Sequence, residues 1–489
     1  MNWIKKIAVV GLSFLLYAPL TTNAQTIQYS PEQKFNIKND DFQIIGKVGE
    51  RIYAYRSDGN GFFLDAYDAS MKPLAIVNLD FLTQGAQNLY FINYNNQITV
   101  LYQTEDSKLS YQHAALLDEN GLLKSQPIQL ESIVKKNIVA NRRNRNYSYV
   151  VSEDKSILAT YAFVEKDKKA YIHITEIKSD LSAYQSAEIG LDVGGEITPQ
   201  NILLANNGDF YFLSYKYTNE NAGFNDQVKV FVTNPIAQTF LNLPIPLDGK
   251  YIGGIHAKIN QQDNTLRIGA FHTTKAKGAI EGFTYASVNI NAEEPIKIQS
   301  AAIDERLKNK SDSRKGKNPL SGFEVRDVIV KNDGGLVMVA EKYTELVRNN
   351  SGNMGLYGGP GYYNSGRNIR EYNYGDILAV SFDANGIIEW SDFFRKEQTS
   401  QNDFGTFSSY LMMNTGGNLV FIYNENISKD GNIAITAIDV KGESTVIRKR
   451  DATMETFTWI PRMGQQVGAL DVIIPCIKAK TISFAKMSF

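Results

Sequence analysis

The chain has 489 residues, and its 51 Lys and Arg residues are balanced by 52 Asp and Glu residues, which gives a net charge of −1. This balance argues against a nucleic-acid-binding protein, whose contact surface needs a clear excess of positive charge. The single cysteine, Cys476, excludes an internal disulfide, so burial and hydrogen bonds must stabilise the fold. Cys476 lies in the apolar run 472–477, which predicts a buried strand residue and not a reactive nucleophile.

The first 24 residues have the pattern of a cleaved secretory signal peptide. Lys5 and Lys6 precede an apolar core at 7–16, and small residues at 22–24 provide a cleavage site. The apolar core is shorter than the roughly 20 residues that a membrane-spanning helix needs. We therefore predict an exported protein without a transmembrane helix after signal removal. Its location would be periplasmic, outer-membrane-associated or secreted.

Two kinds of turn alternate along the rest of the chain and predict a repeated four-stranded unit. The inner turns, which join the first two strands of a unit, lie near Gly49, Asn95, Glu153, Asn207, Gln262, Asp333 and Thr415. The outer turns, which join the last two strands, lie near Asp68, Asp118, Lys178, Asn234, Asn291, Asp383 and Asp439. Short strands at this spacing, without sustained helical periodicity, predict an all-β fold.

Four-stranded antiparallel units in tandem favour a single β-propeller domain over residues 25–489. The second strands of the units support this fold, since runs such as 336–340 and 418–423 are apolar at consecutive positions, as in strands buried on both faces. An outer-membrane β-barrel is the structural alternative, suggested by the terminal Phe489 behind an alternating strand. Barrel strands, however, alternate apolar and polar residues, which these runs do not.

The two ends of the chain predict how the ring of blades closes. The last unit supplies only three strands, while residues 27–37 precede the first unit and belong to none. A final blade that takes its outer strand from the N-terminus uses both leftovers. With this composite blade the count is about eight, and seven is the alternative if two weaker units merge.

A Gly/Tyr-rich insertion at about 344–374 separates two clear hairpins and is predicted as a loop. In a propeller blade, the loop between strands two and three leaves the same edge as the connections between blades. The long segments of this chain all belong to that edge, so we expect binding residues on this long-loop face. Candidate binding residues are Tyr357, Tyr362, Tyr363, Arg367, Arg370 and Tyr372 in the insertion, and Arg142 and Arg143 in another long connection. An insertion folded over its own tyrosines to plug the channel is the alternative.

Sequence motifs for catalysis or cofactor binding are absent. His256 and His272 lie in one hairpin and could meet across it, but no further metal ligand is identifiable. The turns DENG and DANG lack the DxDxDG spacing of calcium loops, and neither GxSxG nor HExxH occurs. We predict no cofactor. Because paired carboxylates have no linear signature, a glycan-active hydrolase or lyase stays open.

The segment 322–426 resembles a family of secreted β-propeller-like proteins of Bacteroidota-type bacteria. The resemblance is carried by NDGGLVMVAEKY, the Tyr/Gly insertion, GDILAVSFDANGIIEW, FRKEQTSQNDFGTFSSY and LVFIYNEN. It implies export and no particular activity, so it assigns no site residues.

The sequence therefore predicts an exported β-propeller that acts as a binding or scaffold protein. Its partner would be a glycan, a peptide or a protein, recognised by the long loops on one face. The alternative function is a carboxylate-dependent glycan-active hydrolase or lyase on the same face. The insertion contains Tyr, Arg and Gly with few carboxylates, which favours binding over catalysis.

Overall fold

The computed structural model describes residues 26–138, 146–191, 199–217, 223–237, 239–310, 318–349, 368–425, 427, 432–449 and 456–489. The predicted signal peptide, 1–24, lies outside these ranges. None of the helices within these ranges is long and apolar enough to cross a bilayer.

Nearly all of the regular structure is β-strand. The first half of the chain contains β1 (Thr26–Tyr29), β2 (Gln33–Lys34), β3 (Phe42–Val48), β4 (Arg51–Asp58), β5 (Gly61–Tyr67), β6 (Pro73–Asn78), β7 (Gln87–Tyr94), β8 (Gln97–Glu105), β9 (Leu109–Leu117), β10 (Ile128–Val134), β11 (Ser148–Val151), β12 (Ile157–Lys166), β13 (Lys169–Lys178), β14 (Tyr184–Leu191), β15 (Pro199–Leu204), β16 (Phe210–Tyr217), β17 (Asn225–Asn234) and β18 (Thr239–Pro244). The second half contains β19 (Tyr251–Asn260), β20 (Thr265–Thr273), β21 (Gly282–Val288), β22 (Ile296–Ala302), the helix α1 (Glu305–Lys310), β23 (Phe323–Val330), β24 (Leu336–Asn349), β25 (Asn368–Phe382), β26 (Ile388–Phe394), β27 (Gln398–Gln401), β28 (Leu411–Asn414), β29 (Asn418–Asn424), β30 (Ile433–Asp439), β31 (Ser444–Lys449), β32 (Thr458–Trp459), β33 (Gln465–Gln466), β34 (Asp471–Lys478) and β35 (Thr481–Ser488). Short 3₁₀ turns occupy Lys135–Asn137 and Pro461–Met463.

Consecutive strands pair antiparallel into four-stranded sheets, as a β-propeller requires. Such sheets are formed by β3–β6, β7–β10, β11–β14 and β28–β31, and β23–β26 form another to which β27 adds. Strands β15–β22 form one sheet in which two four-stranded halves join through a single pair, Asn225 with Ile252. Every predicted inner and outer turn lies between the strands it was expected to join.

The fold class is therefore confirmed as an all-β propeller. Its number of blades depends on whether the two halves of the β15–β22 sheet count separately. Eight blades stays the prediction, with seven as the alternative.

The ring closes through the N-terminal strand, as predicted. β1 pairs antiparallel with β35 from Thr26 opposite Ser488 to Tyr29 opposite Ala485, and β2 adds two further pairs. The rest of this closing sheet consists of β34 with the short strands β32 and β33. The strand order therefore places the two ends of the chain side by side in one sheet.

The core lies between neighbouring sheets. Residues 336–340 of β24 and 419–423 of β29 are all buried, which explains why these second strands are apolar at consecutive positions. Cys476 is also fully buried, between the closing sheet and the β28–β31 sheet, and burial raises the pKa of its thiol well above the usual value. It is a structural residue, as its apolar surroundings predicted.

Three outer turns share the pattern Asp-x-x-Gly, at 118–121, 383–386 and 439–442. In each, one carboxylate oxygen of the Asp accepts backbone N–H groups two and four residues further on, at 2.8–2.9 Å. The carboxylate therefore closes its own turn, and the resemblance to calcium loops was only superficial.

These turns also connect neighbouring sheets. The carbonyl after each Asp accepts a hydrogen bond from an aromatic side chain of another sheet. The donors are Tyr53 to Glu119 at 2.8 Å, Tyr285 to Ala384 at 3.2 Å and Trp390 to Val440 at 3.0 Å. Lys486 of the closing sheet makes the equivalent bond to Ala69 of the first outer turn at 3.1 Å.

Gly442 illustrates why the last position of the turn is glycine. Its φ is +82°, a left-handed conformation that residues with a side chain adopt only with strain. A Cβ at this position would also lie 2.7 Å from Cδ2 of Trp390. The sequence pattern is thus set by the turn and by the neighbouring sheet together.

We expect Gly442→Ala to destabilise the protein more than Gly416→Ala, which is its matched control. Gly416 has a φ of +81°, but a Cβ added there would have no other atom within 4 Å, so its substitution tests backbone strain alone, at about 1 kcal/mol. The clash with Trp390 should add about 1–3 kcal/mol for Gly442. Urea unfolding monitored by fluorescence would measure both, and equal losses would mean that the indole contact is unimportant.

Removing residues 26–35 should destabilise the protein as severely as removing residues 481–489. Either deletion leaves an unpaired strand edge in the closing sheet, and such edges promote aggregation. Thermal melting and size-exclusion chromatography of both truncations would measure the effect. An N-terminal truncation that melts like the full chain would show that β1 and β2 do not hold the ring closed.

Candidate functional site

The margins of the predicted insertion form strands and not a loop. β24 and β25 continue to pair beyond their sheet, from Tyr343 opposite Tyr374 to Asn349 opposite Asn368. β27 pairs with the same part of β25 and adds a third strand. We call residues 343–349 and 368–374 the ribbon. It extends from the edge at which strand two of the blade connects to strand three, which is the long-loop face.

The predicted binding residues fall into two groups. Tyr357, Tyr362, Tyr363, Arg367, Arg142 and Arg143 lie outside the described residues. The other two lie on β25, where the Arg370 guanidinium is 2.9 Å from the carboxylate of Glu345. Tyr372 is buried, with its ring centroid 6.3 Å from that of Phe404. All of them stay predictions as binding residues.

A cavity of about 350 Å³ opens where the ribbon joins its sheet. Its lining residues come from the innermost strand β23, from β25 at the base of the ribbon, from β28 and the two residues before it, and from the turn between β32 and β33. They are Arg326, Asp327, Tyr374, Ser409, Tyr410, Leu411, Met412 and Arg462. We call it the ribbon-side cavity. Innermost strands line the channel of a propeller, so this cavity is part of the channel.

A second cavity, of about 550 Å³, lies along the channel between the innermost strands β3, β7 and β11 and the residues 462–465. We call it the central cavity. Arg462 lines both cavities and lies between them. It belongs to the closing sheet, so its position depends on ring closure.

A β-bulge positions Arg326 on its strand. The pairing of β23 with β24 shifts between Val325 and Asp327, which leaves Arg326 without a paired residue. Bulges of this kind redirect a side chain. The innermost strands β3, β7, β15 and β19 have comparable shifts in register.

A buried ion pair lies next to the ribbon-side cavity. The Lys396 ammonium is 2.8 Å from Oε1 of Glu341, and both side chains are fully buried. Lys396 also donates to Gln398 at 2.9 Å, while Ser409 donates to Oε2 of Glu341 at 2.8 Å. Burial lowers the pKa of Lys396, and the charge of Glu341 opposes this shift. The pair holds β24 against the segment before β27.

Three cationic groups surround the ring of Tyr374. The guanidinium carbons of Arg326 and Arg462 are each 6.0 Å from the ring centroid, and the Lys396 nitrogen is 5.8 Å from it. Arg326 lies 3.1 Å from Glu324 and 3.4 Å from Glu341. Attraction between cations and the ring faces of Tyr side chains stabilises such an arrangement.

Arg462 differs from the other two cations in its partners. Its Nη1 donates to the Tyr374 hydroxyl at 3.3 Å and to the carbonyl of Gly405 at 3.0 Å, and both acceptors are uncharged. Across the described residues, no carboxylate lies within ion-pair distance of its guanidinium. The side chain is exposed to the channel.

Several groups around the ribbon-side cavity are poorly solvated. The hydroxyls of Tyr410 and Ser408 are buried and have no hydrogen-bond partner in the described part of the chain. Asp327 is open to the channel, yet desolvation by the protein around it raises the pKa of its carboxyl. Desolvation, together with the charge of Arg326, lowers the pKa of His256 to about 4, so its imidazole is neutral at pH 7.

The predicted histidine hairpin does not form a metal site. His256 pairs with Gly269 and His272 with Ile252, so the two histidines do not face each other. Within the described ranges, no group of three or more His, Cys, Asp and Glu side chains is arranged to hold a metal ion.

Sequence reasoning missed the residues that form this site. Arg326, Glu341, Lys396, Tyr410 and Arg462 come from separate segments and share no motif. The only local signal is a charged residue directly after an apolar run, as in VMVAEK and DFFRKE. Such a pattern usually marks the end of a strand, so it does not distinguish a site residue.

No family model matches the chain, and no curated protein matches it either. Among solved structures, the WD40 domain of SCAP from fission yeast aligns over 95% of this chain and 98% of that one, with 7% identity and a TM-score of 0.41. Prolyl oligopeptidase B from Galerina marginata aligns over 92% of this chain and 56% of that one, with 7% identity and a TM-score of 0.41. The chain thus spans little more than half of that protein.

An endo-arabinase from Bacteroides thetaiotaomicron aligns over 57% of this chain and 99% of that one, with 10% identity and a TM-score of 0.25. Likenesses at this level carry no argument about function. The propeller assignment rests on the strand pairing, and the resemblance to a Bacteroidota-type secreted family stays an expectation.

We expect Lys396→Met to destabilise the protein by about 3–5 kcal/mol, because it leaves the Glu341 carboxylate buried without its cation. The double variant Lys396→Met/Glu341→Gln should regain much of this loss. Arg370→Met is the matched control, since its ion pair with Glu345 is exposed and worth less than about 1 kcal/mol. Denaturant unfolding curves would measure all three, and a Lys396→Met loss no larger than the control would contradict a structural role for the pair.

Proposed function

We propose that the protein is an exported binding protein that holds part of a glycan or peptide chain in the ribbon-side cavity. The observation that carries this proposal is the cavity itself. It combines cationic groups with the buried hydroxyl of Tyr410, which lacks a partner among the described residues, next to innermost strands of a rigid ring. Pockets that bind small ligands usually combine such a concave surface with a few convergent polar groups.

The ribbon connects this site to the sequence prediction of a long-loop face. The insertion begins and ends on the ribbon, and Tyr374 of the ribbon lines the cavity. The tyrosines and arginines predicted from the insertion are therefore candidates for additional ligand contacts. Export rests on the signal-peptide pattern of the first 24 residues.

Binding is favoured over hydrolysis by the use of the carboxylates. Glycoside hydrolysis needs two carboxyl groups on either side of the scissile bond. Glu341 is occupied by Lys396 and Ser409, so Asp327 is the one carboxyl in the described lining of the cavity. The raised pKa of Asp327 suits a general acid and keeps a hydrolase or lyase as the second candidate.

A glycan array and a peptide library, applied to the chain from residue 25 onward, would identify a ligand. Met412→Trp should then weaken binding at least tenfold, because the larger side chain occupies the ribbon-side cavity without changing its charge. Met463→Trp is the control, because Met463 lines the central cavity only. Melting temperatures of both variants would verify that they fold.

Two results would contradict the proposal. Binding that survives Met412→Trp and is lost in Met463→Trp would place the ligand in the central cavity. Cleavage of a bound ligand, detected by mass spectrometry and abolished by Asp327→Asn, would replace the binding function with the hydrolase or lyase.

A further inference from the structure

We infer that the group recognised in the ribbon-side cavity is a carboxylate and that Arg462 binds it. This inference rests on the proposed function and specifies its ligand chemistry. The shared feature would be a carboxylate on a small flexible chain, either an acidic sugar or the C-terminus of a peptide. Three arguments support it. The charges around the cavity leave one cation without a counter-charge, Arg462 has N–H donors that no described residue uses, and one positive charge matches a monoanion.

The charges around the cavity leave one cation uncompensated. The cations are Arg326, Lys396, Arg462, Lys258, whose positive charge acts on Asp327, and Arg395, which lies 3.4 Å from Asp376. The carboxylates are Glu324, Glu341, Asp327 and Asp376, whose negative charge acts on Lys396. Five cations against four carboxylates leave one positive charge. Arg462 carries it, because no carboxylate pairs with it in the described part of the chain.

The guanidinium of Arg462 is held in place and keeps donors available. Within the described residues, only its Nη1 donates hydrogen bonds, to the Tyr374 hydroxyl and to the carbonyl of Gly405. Nε and Nη2 make no hydrogen bond with the described residues, and the side chain is exposed where the two cavities meet. Adjacent N–H groups of a guanidinium match the two oxygens of a carboxylate.

The size of the excess charge favours a carboxylate over a phosphate. A carboxylate is a monoanion that matches one uncompensated guanidinium, whereas a phosphate monoester carries a charge of about −1.5 to −2 at pH 7. Glu153 and Lys155 line the far side of the central cavity, and their opposite charges offset each other. They therefore add no further attraction for a dianion.

Titration calorimetry on the chain from residue 25 onward would test this with matched pairs of probes. The pairs are galacturonate with its methyl ester, glycylglycine with glycylglycinamide, and acetate with acetamide. We expect the acid of at least one pair to bind at least tenfold more tightly than its neutral partner. The sugar and peptide pairs distinguish the two sources of the carboxylate.

Substitutions then assign the preference to Arg462. Arg462→Gln should reduce affinity for the acid about 10- to 100-fold and leave the neutral partner nearly unchanged. Arg462→Lys, which keeps the charge but not the fork of donors, should retain part of the preference. Arg51→Gln, at an inner turn on the opposite face, is the control and should have no effect.

Equal binding of acid and neutral partner in every pair, or no binding of any acid at millimolar concentration, would overturn the inference. So would a preference that survives Arg462→Gln. In either case, the proposed function is unaffected if Met412→Trp still weakens the binding of a ligand identified by the array or library. Failure of the inference and failure of the proposed function are therefore separate results.

Discussion

The pairing of β1 with β35 is the interaction on which the rest of the structure depends. A ring of sheets has free edges until its last sheet joins the start of the chain, and here residues 26–29 complete that sheet. The same sheet carries Arg462, which donates a hydrogen bond to Tyr374 of the β23–β26 sheet. Ring closure therefore stabilises the fold and also brings the two sides of the candidate site together.

Contacts between neighbouring sheets repeat around the ring with the same chemistry. An outer turn closed by its own Asp presents a carbonyl, and a side chain of another sheet donates to it, as Tyr53, Tyr285 and Trp390 do. Each contact therefore links an outer turn of one sheet to a strand of another. Such a rigid frame can hold charged groups in the channel at defined distances.

The buried pair of Glu341 and Lys396 shows what this rigidity permits. Two charges without access to water are costly unless they meet each other and further hydrogen-bond partners, which Gln398 and Ser409 supply here. The pair gives the cavity a polar wall without contributing net charge. Arg462 then stands out as the cation whose charge is available to a ligand where the ribbon-side and central cavities meet.

The sequence by itself determined the fold, because the signals involved are local. An Asp-x-x-Gly turn is specified by hydrogen bonds within five residues, and a strand buried on both faces is visible as an unbroken apolar run. Ring closure was also predictable, since one missing strand and one unassigned segment leave a single solution. Cys476 could be assigned to the core from its neighbours alone.

Only the tertiary structure decided where the candidate site lies. The length of the ribbon was hidden, because residues 344–348 of β24 are exposed and therefore show no alternation of apolar and polar residues. A bulge, a pairing register and the closure of the ring bring Arg326, Tyr374 and Arg462 together. None of these three features produces a recognisable pattern in the adjacent sequence. Tyr374 and Arg462 are 88 positions apart, and their contact follows from the positions of different sheets around one channel.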